Sequence, residues 1–371
     1  MQTATIADVP ILKIGHGLAL MTWIPTPPPE AQCFEALKAG LEAAPPGAKV
    51  LLNSGEFYGF NPPTANLELL NRFFTKYPEY AERTFLSVKG AITMGDRGSR
   101  LDASPAGLEQ SINNVINKLG PNKKTDLFQC ARVDPRVPIE ETIATLNKYV
   151  ESGKIGSIGL SECSAATLLR ASKIGTIAAV EIEVSPWSFE DETRKVIATA
   201  AELGTIVAAY SPLGHGFLTG KTKPDQLQKG DVRAYLPRFS DPEAIEKNTN
   251  IVTALTEIAT KKGVTPAQLC LAWVSSLGPH VVPIPGPSQA DRTLENVAAA
   301  SVSLGELELE EIRSALERNP VSGECFFHYI SPRVWSAVPD LTALPFLFTS
   351  IELNAQSMTF VKGPQPRNIY G

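Results

Sequence analysis

The stretch Leu51-Leu52-Asn53-Ser54-Gly55-Glu56-Phe57-Tyr58-Gly59 decides the fold, because it runs from apolar residues into a polar loop bounded by glycine. Phe85-Leu86-Ser87-Val88-Lys89-Gly90 repeats the plan. Each reads as a short strand ending at a rim, with a helical pattern after it. Working outward, strands are predicted at 17–21, 49–53, 84–89, 125–130, 155–160, 177–183, 205–210 and 280–284. Helical patterns alternate with them at 30–43, 64–76, 105–119, 139–152, 164–173, 190–203, 245–262 and 291–300. Ser104, before Pro105, and Ser164 are the expected N-caps, since a Ser hydroxyl accepts from a free helix N–H and Pro fits the first turn.

Strand and helix in alternation signal parallel βα units. Eight of each over roughly 300 residues predict a (β/α)8 TIM barrel, whose usual size is about 250 residues plus insertions. A doubly wound open sheet is the competitor, but no Gly-x-Gly-x-x-Gly follows the first strand to support it. The barrel is expected over residues 1–319, with an aromatic-rich C-terminal extension over 320–371.

Composition narrows the function. With 43% hydrophobic and 20% charged residues the 371-residue chain is ordinary globular material. A net charge of -5 without a dense Lys/Arg stripe argues against nucleic acid as partner. No apolar run reaches the roughly eighteen residues of a membrane span. The start, Met1 to Asp8, lacks a secretory pattern, and Ile369-Tyr370-Gly371 matches no retention signal, so a cytoplasmic location is expected. Cys33, Cys130, Cys163, Cys270 and Cys325 form no Cys-x-x-Cys pair, and His16, His215, His280 and His328 show no metal-ligand spacing. Reduced thiols, no metal and a small-molecule partner are expected.

Barrel enzymes carry their chemistry at the C-terminal ends of the strands. Asn53, Lys89, Ser161, Glu181 and Tyr210 fall there. Tyr58 and Lys89 make a chemical pair, because a free phenol, with a pKa of about 10, is a poor acid near neutrality. An ammonium beside it is expected to lower that pKa and assist proton donation. The strand ending at Tyr210 leads into Ser211-Pro212-Leu213-Gly214-His215-Gly216 and a long excursion to about residue 244, long enough to fold over a ligand.

Five motifs stand in order along the chain: Gly55-Glu56-Phe57-Tyr58-Gly59, Ala131-Arg132-Val133-Asp134-Pro135, Gly153 through Ser161-Glu162, Tyr210-Ser211-Pro212-Leu213-Gly214, and Ile284-Pro285-Gly286 through Glu295-Asn296. By these, from about Ile14 to Glu317, the chain resembles the aldo-keto reductase superfamily, most closely its fungal pyridoxal reductase branch. It implies NADPH bound across the barrel mouth without a Rossmann domain, and a carbonyl substrate. Tyr210 would stack on the nicotinamide, with Ser161 and Glu181 on its carboxamide, Glu181 standing where many relatives have glutamine. The backbone of Ser211, Leu213, Gly214 and Gly216 would cradle the pyrophosphate. Gly286 and Ser288 would follow the last strand, Arg292 would face the 2′-phosphate and adenine, and Glu295 and Asn296 the adenine edge. Pro287-Ser288-Gln289 departs from the basic residue common there, which weakens the implied preference for NADPH over NADH. Trp23, Tyr58 and Arg132 would surround the substrate.

The superfamily's catalytic tetrad is Asp, Tyr, Lys and His. Tyr58 and Lys89 keep two positions, Asn53 stands at the Asp position and Ala131 at the His position. Asn53 supplies no charge, so the Lys89 ammonium is expected to be held by hydrogen-bond geometry more than by an ion pair. Ala131 is expected to open room beside the carbonyl while giving nothing to an oxyanion, a loss of about 10²- to 10³-fold unless the substrate brings its own donor, as pyridoxal does. Cys130, one residue earlier on the strand, is expected to point away from the pocket as a buried thiol.

The extension holds Phe326, Phe327, Tyr329, Trp335, Phe346, Phe348 and Phe360, too aromatic for a disordered tail. It is expected to pack either as a lid over the pocket or as an outer or intersubunit layer. Two other functions stay open beside carbonyl reduction. One is a nicotinamide-binding regulatory or scaffold protein with little turnover; the other is a barrel doing proton-transfer chemistry through Tyr58 and Glu56.

Overall fold

The computed structural model describes residues 1–95, 98–222, 227, 231, 233 and 236–323. Most of the extension, with Cys325, His328 and all seven aromatics named above, therefore lies outside the described residues.

The chain begins with an antiparallel hairpin, β1 (Thr3–Ile6) and β2 (Val9–Leu12). Its two-residue turn puts Ala7 at φ 46° and Asp8 at φ 62°, the doubly left-handed turn that suits the twist of paired strands. The barrel strands follow: β3 (His16–Gly17), β4 (Val50–Gly55), β5 (Thr84–Gly90), then, past the small hairpin β6 (Ile92–Gly95) and β7 (Gly98–Leu101), β8 (Leu127–Cys130), β9 (Ile158–Ser161), β10 (Ile177–Glu183), β11 (Ile206–Tyr210) and β12 (Val281–Pro283). Eight of them form one sheet in the order β3-β4-β5-β8-β9-β10-β11-β12, every pair parallel. The Gly15 amide donates to Pro283 O at 2.9 Å and the Gly17 amide to Pro285 O at 2.8 Å, which closes the sheet into the predicted barrel. The seam needs glycine: a Cβ on Gly15 would lie 2.7 Å from Ile284 Cγ2 and 2.9 Å from Leu51 O.

Helices α1 (Glu30–Ala43), α2 (Ala65–Lys76), α3 (Pro105–Leu119), α4 (Ile139–Glu151), α5 (Ala165–Ser172), α6 (Asp191–Leu203), α7 (Pro237–Ser240), α8 (Pro242–Lys262), α9 (Pro266–Ser276), α10 (Ala290–Ala298) and α11 (Glu306–Arg318) complete the described fold. Ser104 and Ser164 cap α3 and α5 as expected, accepting from the Gly107 and Thr167 amides at 3.2 and 3.1 Å. None of these helices is long and apolar enough to cross a membrane.

The two-residue alternation of the strands sorts the barrel into layers. Val50, Leu52, Leu86, Val88, Phe128, Cys130, Leu160, Val180 and Val207 point outward into one apolar cluster with the helices. Leu51, Phe85, Leu127, Ala179, Ile206, Ala208 and Val282 point inward and pack on Ala4, Ile6 and Ile11 of the hairpin, which plugs one end. One step further along the strands the inward positions turn polar, and these form the floor of the mouth.

The first predicted strand is shorter and earlier than expected. Only His16–Gly17 pairs, and Ala19–Met21 is a 3-10 turn that brings Leu18 and Met21, both fully buried, onto one side. Strands expected from 125 and 155 start at Leu127 and Ile158; Gly156 passes so close to Asp126 that a Cβ would meet its carbonyl oxygen at 2.5 Å. Three helices were not foreseen, the single turn α7, α9 and α11. In α9 nearly every residue is buried, so no polar face marks a period, and in α11 the acidic face hides a narrow apolar stripe whose fully buried members are Ile312 and Ala315.

Candidate active site

Lys89, near the end of β5, is 3% exposed and needs a compensating charge. Its Nζ donates to Asn53 Oδ1 at 2.6 Å and to Glu181 Oε1 and Oε2 at 2.8 and 2.9 Å. The bond to Asn53 is the expected one, but the ammonium is also ion-paired, and the expectation of a lysine held by hydrogen-bond geometry more than by an ion pair is corrected. The carboxylate comes from β10, not from position 53. Asn53 Nδ2 donates to Glu181 Oε2 at 2.7 Å, and Gln129 Nε2 donates to the same oxygen at 2.6 Å. Burial works to lower the lysine pKa, but Glu181 and Tyr58 outweigh it and hold it above its ordinary 10.5.

Tyr58 sits in the loop after β4, with Lys89 Nζ 5.0 Å from its ring centroid. Asn66 of α2 fixes that loop: its Nδ2 donates to Leu18 O and to Thr22 Oγ1, its Oδ1 accepts from Ser54 Oγ, and Thr22 Oγ1 in turn donates to Tyr58 O at 2.6 Å. Trp23 stacks on the phenol ring at 5.1 Å and 18°, and Phe57 meets it edge-on at 5.2 Å. The lysine was expected to depress the phenol. Burial, which raises it, prevails over the lowering by Lys89, and Glu181 adds to the rise, so the Tyr58 pKa lies above 10.0. The hydroxyl therefore stays protonated at neutral pH.

Ala131 follows β8 and is wholly buried in a cluster with Phe57 and Tyr58, flanked by Ala19, Trp23 and Ile92. It forms part of an apolar wall. Arg132 is half-buried; its Nη1 bonds the Ala131 carbonyl at 2.5 Å, and its charge bears on both Tyr58 and Glu162. Cys130 packs outward as expected, and burial pushes its thiol up to about 12. Both oxygens of Glu56 accept from α3, Oε2 from Ser111 at 2.5 Å and Oε1 from Asn114 at 2.7 Å, so Glu56 is committed to the helix layer.

Around the mouth, Ser161 and Glu181 are register neighbours on β9 and β10, and Tyr210 ends β11 half-buried. Beyond it the backbone turns left-handed at Ser211 (φ 48°), Gly214 (55°), His215 (54°) and Gly216 (91°), with Leu213 between. Arg233 Nη1 donates to His215 O at 2.9 Å and holds this loop in shape. On the far side, Gly286 lies against β3, and the next residues are tied down: neutral His16 donates from Nε2 to Pro287 O at 2.8 Å, and Gln32 Nε2 to Ser288 O at 2.9 Å. Arg292 stands exposed in the first turn of α10, Glu295 is half-buried and Asn296 buried. Lys221 Nζ lies 3.7 Å from Glu295 Oε2, so the loop after β11 comes up to α10.

Three participants were not singled out in the sequence. Gln129 carries no charge and sits mid-strand, so only its contact with Glu181 reveals it. Glu162, left-handed at φ 51° after β9 and 4% exposed, accepts from the Glu183 amide at 3.2 Å; burial raises its pKa to about 7. Glu183 is held by Ser188 at 3.1 Å, and Ser188 Oγ also accepts from buried Arg238 at 3.0 Å. Arg238 Nε bonds Gly323 O and Asn248 bonds both backbone groups of Ser322, so the last described residues are docked on α7 and α8.

The chain also has relatives among known proteins. The model of the aldo/keto reductase family matches residues 13–317. The probable pyridoxal reductase 2 of Schizosaccharomyces pombe is 38% identical over 316 residues, 84% of this chain and 93% of that protein. The aldo-keto reductase yakc of the same organism, whose name carries NADP(+), is 36% identical over 328 residues, covering 87% and 94%. The solved structure of a glycerol dehydrogenase from Gluconobacter oxydans superposes with a TM-score of 0.75 at 22% identity, over 87% of this chain and 98% of that one, a likeness of fold. The chain is an oxidoreductase that belongs to the aldo/keto reductase family.

Proposed function

We propose that the protein reduces an aldehyde with NADPH, with Tyr58 as proton donor and a pyridoxal-like compound as substrate. The observation that carries this reading is the buried chain of phenol, ammonium and carboxylate at the barrel mouth. A protonated phenol is the form that can donate to a carbonyl oxygen, and the adjacent Lys89 charge, in a site shielded from water, stabilises the phenolate left behind. Lys89 keeps its ion pair despite Asn53, which supports turnover over a relic scaffold.

NADPH, when bound, supplies the hydride. Left-handed turns at Ser211, Gly214, His215 and Gly216 support a diphosphate site; the Gly214 and Gly216 amides, bonded to Ser211 O and Leu213 O at 2.9 and 3.0 Å, would turn from these carbonyls to reach it. Arg292, exposed in the first turn of α10, would meet the 2′-phosphate, and the relative named with NADP(+) supports the same choice. Tyr210 would stack on the nicotinamide. Ser161 would orient its carboxamide, while the Glu181 oxygens are already taken by Lys89, Asn53 and Gln129.

Ala131 offers no hydrogen bond, so the substrate oxygen depends on Tyr58 and on the substrate itself. Pyridoxal carries a phenolic oxygen beside its aldehyde, and a similar relative is named for pyridoxal reduction. The test is NADPH consumption with pyridoxal and simple aldehydes, in wild type and Tyr58→Phe. Reduction that falls by about 10²-fold or more in the variant, with NADPH affinity kept, is expected. Normal turnover by the phenylalanine variant would remove Tyr58 as donor.

A further inference from the structure

Glu181 is the most densely bonded side chain in the barrel floor. Oε1 accepts from Lys89, and Oε2 accepts from Lys89, Asn53 and Gln129. Every one of these neighbours presents a donor, so the position is built for a group that only accepts. Gln129 also donates to Ser87 Oγ at 3.2 Å, while its own Oε1 is buried without a hydrogen-bond partner. Without its carboxylate the buried lysine would keep the Asn53 oxygen as acceptor but lose the counter-charge that holds it protonated.

We propose that Glu181, fastened by Gln129, is the positioning residue that keeps Lys89 charged and aimed at Tyr58, and that Asn53 and Glu181 form an exchangeable amide and carboxylate pair. The role rests on the reading of Tyr58 as proton donor. Glutamine alone at 181 fails, because it leaves the Lys89 ammonium without its carboxylate. Aspartate at 53 with glutamine at 181 restores the balance: the carboxylate again meets the ammonium, the new amide on β10 donates to that carboxylate, and Gln129 rotates to accept through Oε1. The charges facing Tyr58 are Lys89, Glu181 and Arg132, and those facing Lys89 are Glu181 and, once ionised, Tyr58.

The test compares wild type, Glu181→Gln and the double variant Asn53→Asp/Glu181→Gln. Two readouts are taken: kcat and KM for pyridoxal reduction with NADPH, and the pH titration of Tyr58 followed by phenolate absorbance against a Tyr58→Phe blank. Glu181→Gln is expected to lose about 10²-fold in kcat, the scale of a misplaced group, with a smaller change in KM. Its Tyr58 titration moves to a different pH. The double variant is expected to regain at least about tenfold in kcat and to return the titration toward wild type. A double variant no better than Glu181→Gln, or a Glu181→Gln that titrates and turns over like wild type, overturns the proposal. If Glu181→Gln does not fold, a folded and active double variant supports the exchange, and one that neither folds nor turns over refutes it. Were wild type to reduce no aldehyde, the functional reading would fall, and the Tyr58 titration would still decide whether Glu181 governs the Lys89 and Tyr58 pair.

Discussion

Glu162→Gln should change how stability depends on pH. Glu162 is 4% exposed, and burial lifts its pKa from 4.5 to about 7; the Glu183 carboxylate adds to the rise, and Arg132 and Tyr210 oppose it. A carboxyl whose folded pKa is raised binds its proton more tightly in the native state. Its contribution is therefore full below 4.5 and lost as pH climbs to about 7. At about 1.36 kcal/mol per pKa unit the whole loss is about 3 kcal/mol, of which roughly 2 to 3 kcal/mol falls between pH 5 and pH 8. Glutamine keeps the shape and the acceptor for the Glu183 amide but does not titrate. Denaturant unfolding of wild type and variant at both pH values gives the two stabilities, and groups common to both cancel in the difference. The variant should gain roughly 2 to 3 kcal/mol on wild type from pH 5 to pH 8. The same gap at both pH values would refute the buried-acid reasoning.

Arg292→Ala should weaken NADPH by roughly 10- to 100-fold and leave NADH nearly unchanged, measured by fluorescence quenching, since a guanidinium–phosphate contact is charge-assisted; equal losses would take Arg292 out of the phosphate site. Ala131→His should overpack the sealed cluster with Phe57 and Tyr58 and cost about 1–3 kcal/mol by denaturant unfolding; unchanged stability would mean that the wall opens readily. Gly15→Ala should cost a similar amount, about 1–3 kcal/mol, because its Cβ would meet the Leu51 carbonyl at 2.9 Å, a backbone atom that cannot swing aside. Its unfolding midpoint at or above that of wild type would show that the barrel seam tolerates a methyl group.

The sequence by itself determined the alternation of strand and helix, and with it the barrel, because a two-residue and a helical period are properties of adjacent residues. It also placed Tyr58 and Lys89 at one rim, the outward turn of Cys130 and the caps at Ser104 and Ser164. Local pattern failed where burial erased the period, as in α9, and where a strand needs a partner to exist, as at His16–Gly17, which pairs only with β4 and meets the last strand's end across the seam. The charged partner of Lys89, Glu181, belonged to the tertiary structure alone. Asn53, Lys89, Gln129 and Glu181 stand on four different strands, up to 128 residues apart, and only closure of the sheet brings their inward faces together. The pKa of Tyr58 was decided there too: an adjacent ammonium is legible in sequence, but the burial that outweighs it comes from Trp23, Phe57 and the Ala131 wall packing around the ring.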